Sequence, residues 1–183
     1  MLSAVSHAHE NGFAHRDIKL ENILIGNDYS LKLADFGFAA KIHENRKFER
    51  VLGTEGYMAP EIQANLKYDG KNVDVFALGV VLFSMVNGIP PFFKAIKTDP
   101  YFRHFFEGKP ETYWNLLSNK YNFILSDSFK DLINRMFSVN PEERITVAEI
   151  QSHPWMTEEL SCSAEEAKNF IKEVLEQEEW RGF

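Results

Sequence analysis

The sequence predicts a mainly α-helical domain with one small β-hairpin set beside a pair of polar loops. Three observations carry that expectation. Residues 72–87 place Val73, Phe76, Ala77, Val80, Val81 and Met85 around most of a helix, the pattern of a buried central helix rather than a surface one. Two short apolar runs, Ile23-Leu24-Ile25 and Leu31-Lys32-Leu33, flank the turn-forming Gly26-Asn27-Asp28-Tyr29-Ser30, which is a hairpin signature. Lastly, the polar stretch His15-Arg16-Asp17-Ile18-Lys19-Leu20-Glu21-Asn22 and the triplet Asp35-Phe36-Gly37 sit on either side of that hairpin.

Size and composition agree with one folded unit. The chain has 183 residues, 44% of them hydrophobic and 16 of them Phe, enough for a sizeable core. A formal net charge of −7 argues against broad nucleic-acid affinity. Cys162 is the only cysteine, which rules out an intrachain disulfide and a cysteine-based zinc site. Residues 1–5 lack the basic and apolar regions of a signal peptide. No stretch reads as the roughly 20 apolar residues of a membrane helix. The expectation is a soluble intracellular protein, cytoplasmic or nuclear, without membrane insertion.

In chain order, Leu2, Val5 and Ala8 recur at helical spacing and Asn11-Gly12 supplies a stop, so residues 1–11 read as the end of a helix. A loop over 13–22 leads into the hairpin. Residues 38–58 carry mixed charge and read as a long exposed loop ending at Ala59-Pro60-Glu61. The central helix over 72–87 is stopped by Pro90-Pro91. Helices are expected near 99–107, 110–118, 127–138 and 146–153, with Asn140-Pro141-Glu142-Glu143 separating the last two. From Ser163, the residues Ala167, Phe170, Ile171, Val174 and Leu175 form one stripe among acidic neighbours, predicting an amphipathic helix over 163–180.

The two polar loops carry chemistry suited to phosphoryl transfer. That reaction needs an in-line acceptor hydroxyl, divalent metal on the phosphates and positive charge on the transferred group. Asp17 can accept the hydroxyl proton and orient the oxygen. Lys19, two residues on, can point at the γ-phosphate. Asn22 and Asp35 offer the hard oxygen ligands that magnesium prefers, and Gly37 is expected to let the backbone turn sharply after Asp35. Either triplet by itself would be a weak signal. Their order and separation across a hairpin make chance a poor explanation.

Over residues 1–156 the chain resembles the C-terminal lobe of a eukaryotic protein kinase. His15-Arg16-Asp17-Ile18-Lys19-Leu20-Glu21-Asn22 is similar to the kinase catalytic loop, and Asp35-Phe36-Gly37 to its metal-binding motif. Gly53-Thr54-Glu55-Gly56-Tyr57-Met58-Ala59-Pro60-Glu61 resembles the end of the activation segment. Lys19 together with Thr54 is the serine/threonine-type arrangement, in which both meet Asp17. The wording of 17–22 and 53–58 is closest to the calcium/calmodulin-dependent and AMP-activated branch.

The resemblance implies a mainly α large lobe with a β-hairpin at the catalytic cleft, using ATP and Mg2+ to phosphorylate serine or threonine in proteins. It makes Asp17, Lys19 and Thr54 catalytic. Asn22 and Asp35 become the metal ligands and, with Glu21 and Leu24, the nucleotide side of the cleft, Leu24 lying under the adenine. Glu21 also resembles the acid that contacts an arginine upstream of the phosphosite, implying substrates basic around that site. Asp74 would hold the catalytic loop by its amides, Arg144 would pair with Glu61, and His15 and Phe36 would stack in the hydrophobic spine. His153-Pro154-Trp155 would close the lobe, leaving 157–183 as an acidic amphipathic helical tail.

Departures from the family matter for activity. The chain contains no Gly-x-Gly-x-x-Gly, and 14 residues before His15 cannot hold an N-terminal lobe, so that lobe is expected to be absent and the fragment weakly active or inactive. A second reading is a truncated, non-catalytic kinase relative acting as a protein-interaction module. Between Phe36 and Pro60 there is no serine and only one threonine, Thr54. Arg50 stands roughly where relatives carry a phosphorylatable threonine. That predicts control without activation-loop phosphorylation, with Glu44 and Glu49 as the candidates to neutralise Arg16. The tail helix is expected to pack on the lobe surface, autoinhibition or partner docking being the second reading.

Overall fold

The central helix α3 (Gly70–Asn87) organises the structure, a computed structural model that describes residues 1–44, 46–157 and 163–179. Val73 through Val81 is buried without a break, so neighbours cover the helix on every side. It starts two residues before the predicted Asn72, because the Asp69 side chain accepts from the Lys71 and Asn72 amides and caps it. Gly88 closes it at φ 70°. By length and apolar content this segment passes as membrane-spanning, with 61% of it buried inside the protein. The expectation that no stretch approaches a membrane helix is therefore corrected, and its burial shows what the apolar surface is for.

α6 (Asp127–Met136) lays Phe129, Leu132, Ile133 and Met136 against that axis, at the i, i+3, i+4, i+7 spacing of a single buried stripe. The two helices approach closely at Gly79, where a Cβ would lie 2.9 Å from the Phe137 ring and 3.0 Å from the Met136 Cβ. Phe76, Phe92, Phe102 and Phe137 form one aromatic cluster with ring centroids 4.7–6.3 Å apart, within the range of favourable edge-on packing.

Around this core run α1 (Leu2–Glu10), α2 (Pro60–Gln63), α4 (Arg103–Phe106), α5 (Pro110–Tyr121), α7 (Val147–Gln151) and α8 (Pro154–Thr157). α7 opens with a capping box between Thr146 and Glu149. The expected helix at 99–107 shrinks to the four residues of α4. Asp99 explains the difference: its buried carboxylate accepts from the amides of Phe93, Lys94, Tyr101 and Phe102 and folds 93–102 into a turn. His153 meets Asp131 at 2.9 Å, and Trp155 packs on Phe129 as the lobe closes.

Two small sheets flank the polar loops. The predicted hairpin is β2 (Ile23–Ile25) with β3 (Leu31–Leu33), in the register Ile23 to Leu33. The second pairs β1 (Phe13–Ala14) with β4 (Ala40–Lys41) and was not expected. It shows that 38–58 is no free loop, since single bridges His43–Arg46 and Phe48–Tyr68 tie it down further. The tail forms α9 (Ala164–Glu179), with Leu175 beside the β2–β3 turn residues Ile25 and Tyr29 across a shallow cavity. Its stripe is only partly covered: Ala167, Ile171 and Leu175 are half-buried, whereas Phe170 is 67% exposed and Val174 is exposed. The predicted end of this helix at residue 180, and Cys162, lie outside the described residues.

Candidate active site

Asp17 sits at the centre of the polar loops, buried, with its carboxylate shared by three side chains. Thr54 Oγ1 donates to Oδ1 at 2.8 Å. Lys19 Nζ donates to Oδ2 at 2.8 Å and to Thr54 Oγ1 at 2.9 Å. Asn22 Nδ2 donates to the Asp17 carbonyl at 2.9 Å and more weakly to Oδ2 at 3.4 Å. Thus four of the predicted site residues, taken from two distant stretches of chain, form one hydrogen-bonded unit. The Asp17 hydrogen bond raises the Lys19 pKa; burial opposes it, and the charges of Asp17, Glu21 and Asp35 add to it. The ammonium therefore stays charged, with one of its three donors left over.

The loop carrying Asp17 is held in a costly shape. Arg16 has φ 66°, a left-handed conformation costing about 1–2 kcal/mol for an ordinary residue. Asp74 offsets it: Oδ2 accepts from the His15 amide at 2.8 Å and Oδ1 from the Arg16 amide at 2.7 Å. Its Oδ2 also meets His9 Nε2 at 2.8 Å. Asp74 was legible in the sequence, but His9 was missed. The signal was there, since His9 follows the buried Val5 by four residues on α1 and shares its face.

From the other side the segment 52–58 closes over Asp17. Gly53 has φ 112°, and a Cβ there would lie 3.0 Å from the Arg16 carbonyl, so only glycine brings Thr54 this near. The space left between segment and loop is about 10 Å3, the room of roughly one water. Beyond it, Glu61 of α2 forms a fully buried, bidentate pair with Arg144, at 2.7 and 2.9 Å.

The remaining site residues are placed less tightly. Asp35 is exposed, and it rather than Gly37 makes the sharp turn expected there: Asp35 has φ 58°, and its Oδ1 accepts from the Gly37 amide at 3.1 Å. Asp residues tolerate this region because a short polar side chain can bond locally. Glu21 is exposed, its Oε2 accepting from the Tyr57 hydroxyl at 3.4 Å. Tyr57, whose role sequence reasoning missed, is pushed to a higher pKa by burial. Leu24 stands 54% exposed on the hairpin, and His15 packs edge-on against Phe36 at 4.7 Å.

The donors suit a hard divalent cation. Asn22 spends its N–H groups on Asp17, which leaves a carbonyl oxygen, and Asp35 is an open carboxylate. No group of three or more His, Cys, Asp or Glu side chains able to hold a metal occurs among the described residues. A cation here would share its shell with phosphate oxygens and water, as magnesium does.

One expectation about charge is overturned. Neither Glu44 nor Glu49 neutralises Arg16 among the described residues: Glu49 pairs with Lys67 at 2.7 Å. The Arg16 guanidinium instead lies 4.4 Å over the Phe48 ring, and its Nε donates to the Phe38 carbonyl at 2.8 Å.

A helical lobe with a hairpin at its mouth thus carries an Asp–Lys–Asn–Thr unit on two loops. Residues 1–156 match the protein kinase domain family, and the chain belongs to that family. It is 37% identical over 158 residues to sperm motility kinase 3A of Mus musculus, covering 86% of this chain and 29% of that protein. It is 36% identical over 166 residues to the calcium/calmodulin-dependent protein kinase type II alpha chain of Drosophila melanogaster (85% and 29%). With serine/threonine-protein kinase cds1 of Schizosaccharomyces pombe the identity is 40% over 164 residues (85% and 34%). The chain thus spans about a third or less of these curated relatives. The calcium/calmodulin-dependent relative falls in the branch whose wording residues 17–22 and 53–58 resemble.

Proposed function

We propose that this chain is the catalytic-lobe part of a serine/threonine protein kinase, transferring the γ-phosphoryl group of Mg-ATP to a hydroxyl on a protein. The observation that supports it is the closed unit of Asp17, Lys19, Asn22 and Thr54, built on a kinase-family lobe. In this reading residues 1–156 are the large lobe, 157–183 are a tail that carries α9, and the small lobe that covers the nucleotide lies outside these residues.

The roles follow from the contacts. Asp17 accepts the proton of the incoming hydroxyl and aims its oxygen; Thr54 and Lys19 hold that carboxylate in place. The spare donor of Lys19 meets the transferred phosphoryl group, where a fixed positive charge lowers the barrier. Asn22 and Asp35 would hold magnesium, which neutralises phosphate charge when bound. Leu24, on β2, lies under the base of the nucleotide, and Glu21, on the loop that carries Asp17, is the residue shared by nucleotide and substrate. Its exposed carboxylate, tethered by Tyr57, favours substrates basic near the phosphosite. Equal turnover of basic and acidic peptide libraries would count against that preference.

The test uses the native kinase purified from its source cells. Transfer of labelled γ-phosphate to serine, threonine and tyrosine peptides is compared between wild type and Asp17→Asn. Removing a positioned base costs about 10²–10⁴-fold, so kcat should drop by that factor with nucleotide affinity retained. Undiminished transfer by Asp17→Asn, or transfer confined to tyrosine, would overturn the assignment.

A further inference from the structure

The segment between Phe36 and Pro60 meets the lobe through an aromatic side chain, Phe48, besides its backbone and polar contacts. Between Phe36 and Pro60 the side-chain hydroxyls are Thr54 and Tyr57, both engaged in the site, with Asp17 and Glu21. Among the described residues from His43 to Arg50, only Phe48 is not exposed. Its ring has two partners: the Arg16 guanidinium lies 4.4 Å from its centroid and buried Tyr68 packs against it at 5.7 Å. Its backbone exchanges two hydrogen bonds with Tyr68, at 2.8 and 2.9 Å, and the Tyr68 hydroxyl donates to the Arg50 carbonyl at 2.9 Å. Gly70 leaves room for the ring, since a Cβ there would lie 2.8 Å from Phe48 and clash with Ala14.

We propose that Phe48 is a positioning residue: its ring, held by a clamp made of Arg16 and Tyr68, fixes the segment on the lobe and so sets Gly53 and Thr54 against Asp17. Arg16 carries the adjacent Asp17, so the clamp links segment and catalytic loop through one side chain. A cation over an aromatic face is attracted by the ring quadrupole without any anion present. The cavity beside the clamp, about 450 Å3, is lined by Lys41, His43, Arg46, Lys47 and Arg50, and its one carboxylate, Glu49, is paired with Lys67. Lys47 is paired with Glu142 at 3.2 Å, but mutual repulsion of Lys41, Arg46 and Arg50 would lift the segment away, and the Phe48 contacts oppose it.

The consequence for catalysis rests on the kinase reading, but the clamp is tested without turnover. Amide hydrogen exchange is followed in the full 183-residue chain as wild type, Phe48→Leu, Phe48→Tyr and Arg16→Met. Phe48→Leu keeps apolar bulk and loses the π face. Exchange at Phe48 and Tyr68 should speed up about five- to thirtyfold, with α3 amides such as Val80 unchanged. Arg16→Met should do the same, and Phe48→Tyr should behave as wild type. The proposal is overturned if Phe48→Leu leaves the local rates unchanged, or if wild-type protection of 46–54 appears only on adding inorganic phosphate. In the native kinase Phe48→Leu should lower kcat and raise the peptide KM, with the ATP KM unchanged and rescue by Phe48→Tyr. If Asp17→Asn has no effect on transfer while the exchange result holds, the kinase reading fails and the clamp stands.

Discussion

Removing Glu61 should unfold this lobe more readily than the loss of any surface charge. Arg144 is completely buried, and Glu61 supplies two of its hydrogen bonds, the others going to the Asn72 carbonyl and, twice, to that of Ser138. In Glu61→Ala the guanidinium keeps its charge and those carbonyls but has no counterion. Two unit charges about 4 Å apart interact by about 4 kcal/mol at an effective dielectric of about 20, and single removals from buried pairs cost about 3–5 kcal/mol. The two routes agree. With a urea dependence of about 2 kcal/mol per molar, the unfolding midpoint should fall by about 1.5–2.5 M, read from the fluorescence of Trp114 and Trp155. Glu61→Gln, which keeps one acceptor, should lose roughly half as much. The double variant Glu61→Leu/Arg144→Met should lie near wild type, because an apolar pair of similar volume needs no counterion. A Glu61→Ala variant within about 1 kcal/mol of wild type, or a double variant as unstable as the single, would refute the claim that an uncompensated buried charge sets the cost.

Two further outcomes follow from the packing and the charges. Lys19 has a raised pKa, so its stabilising contact is fully present below the ordinary lysine value of about 10.4 and is lost only as pH rises through the higher folded-state value. An NMR titration of Lys19 should therefore show no protonation change between pH 6 and 10, and Asp17→Asn should move its midpoint back down; titration below the ordinary value would contradict the geometry. Gly79→Ala sets two effects in opposition: helix propensity favours alanine by about 1 kcal/mol, while overpacking against Met136 and Phe137 costs about 1–3 kcal/mol. The backbone-borne Met136 Cβ has no room to move, so thermal unfolding should show a net loss of about 1 kcal/mol, and a stabilised variant would show that α6 shifts freely.

Local patterns determined much of this protein. A helix apolar on most sides must be central, so α3 was legible, as were a helix near 127–138 and the hairpin from its turn residues. The grouping of Asp17, Lys19 and Asn22 was legible too, because they lie within six residues of one another, and Thr54 joins them as expected. Most of what escaped depends on partners far along the chain, Asp99 being the local exception. Phe13–Ala14 becomes a strand only because Ala40–Lys41 comes alongside. The helix expected at 99–107 gave way to Asp99, whose carboxylate outcompetes helix for four amides. Glu44 and Glu49 carry the right charge on the segment that meets Arg16, yet in space Phe48 takes that place. His9 and Tyr57 look like ordinary residues until the folded chain sets them against Asp74 and Glu21. Sequence period and side-chain chemistry decide which segments are buried and which atoms can react. Only the tertiary structure decides which of several suitable partners reaches a given side chain, because that choice rests on packing between distant segments, as with His9 and Asp74, 65 residues apart.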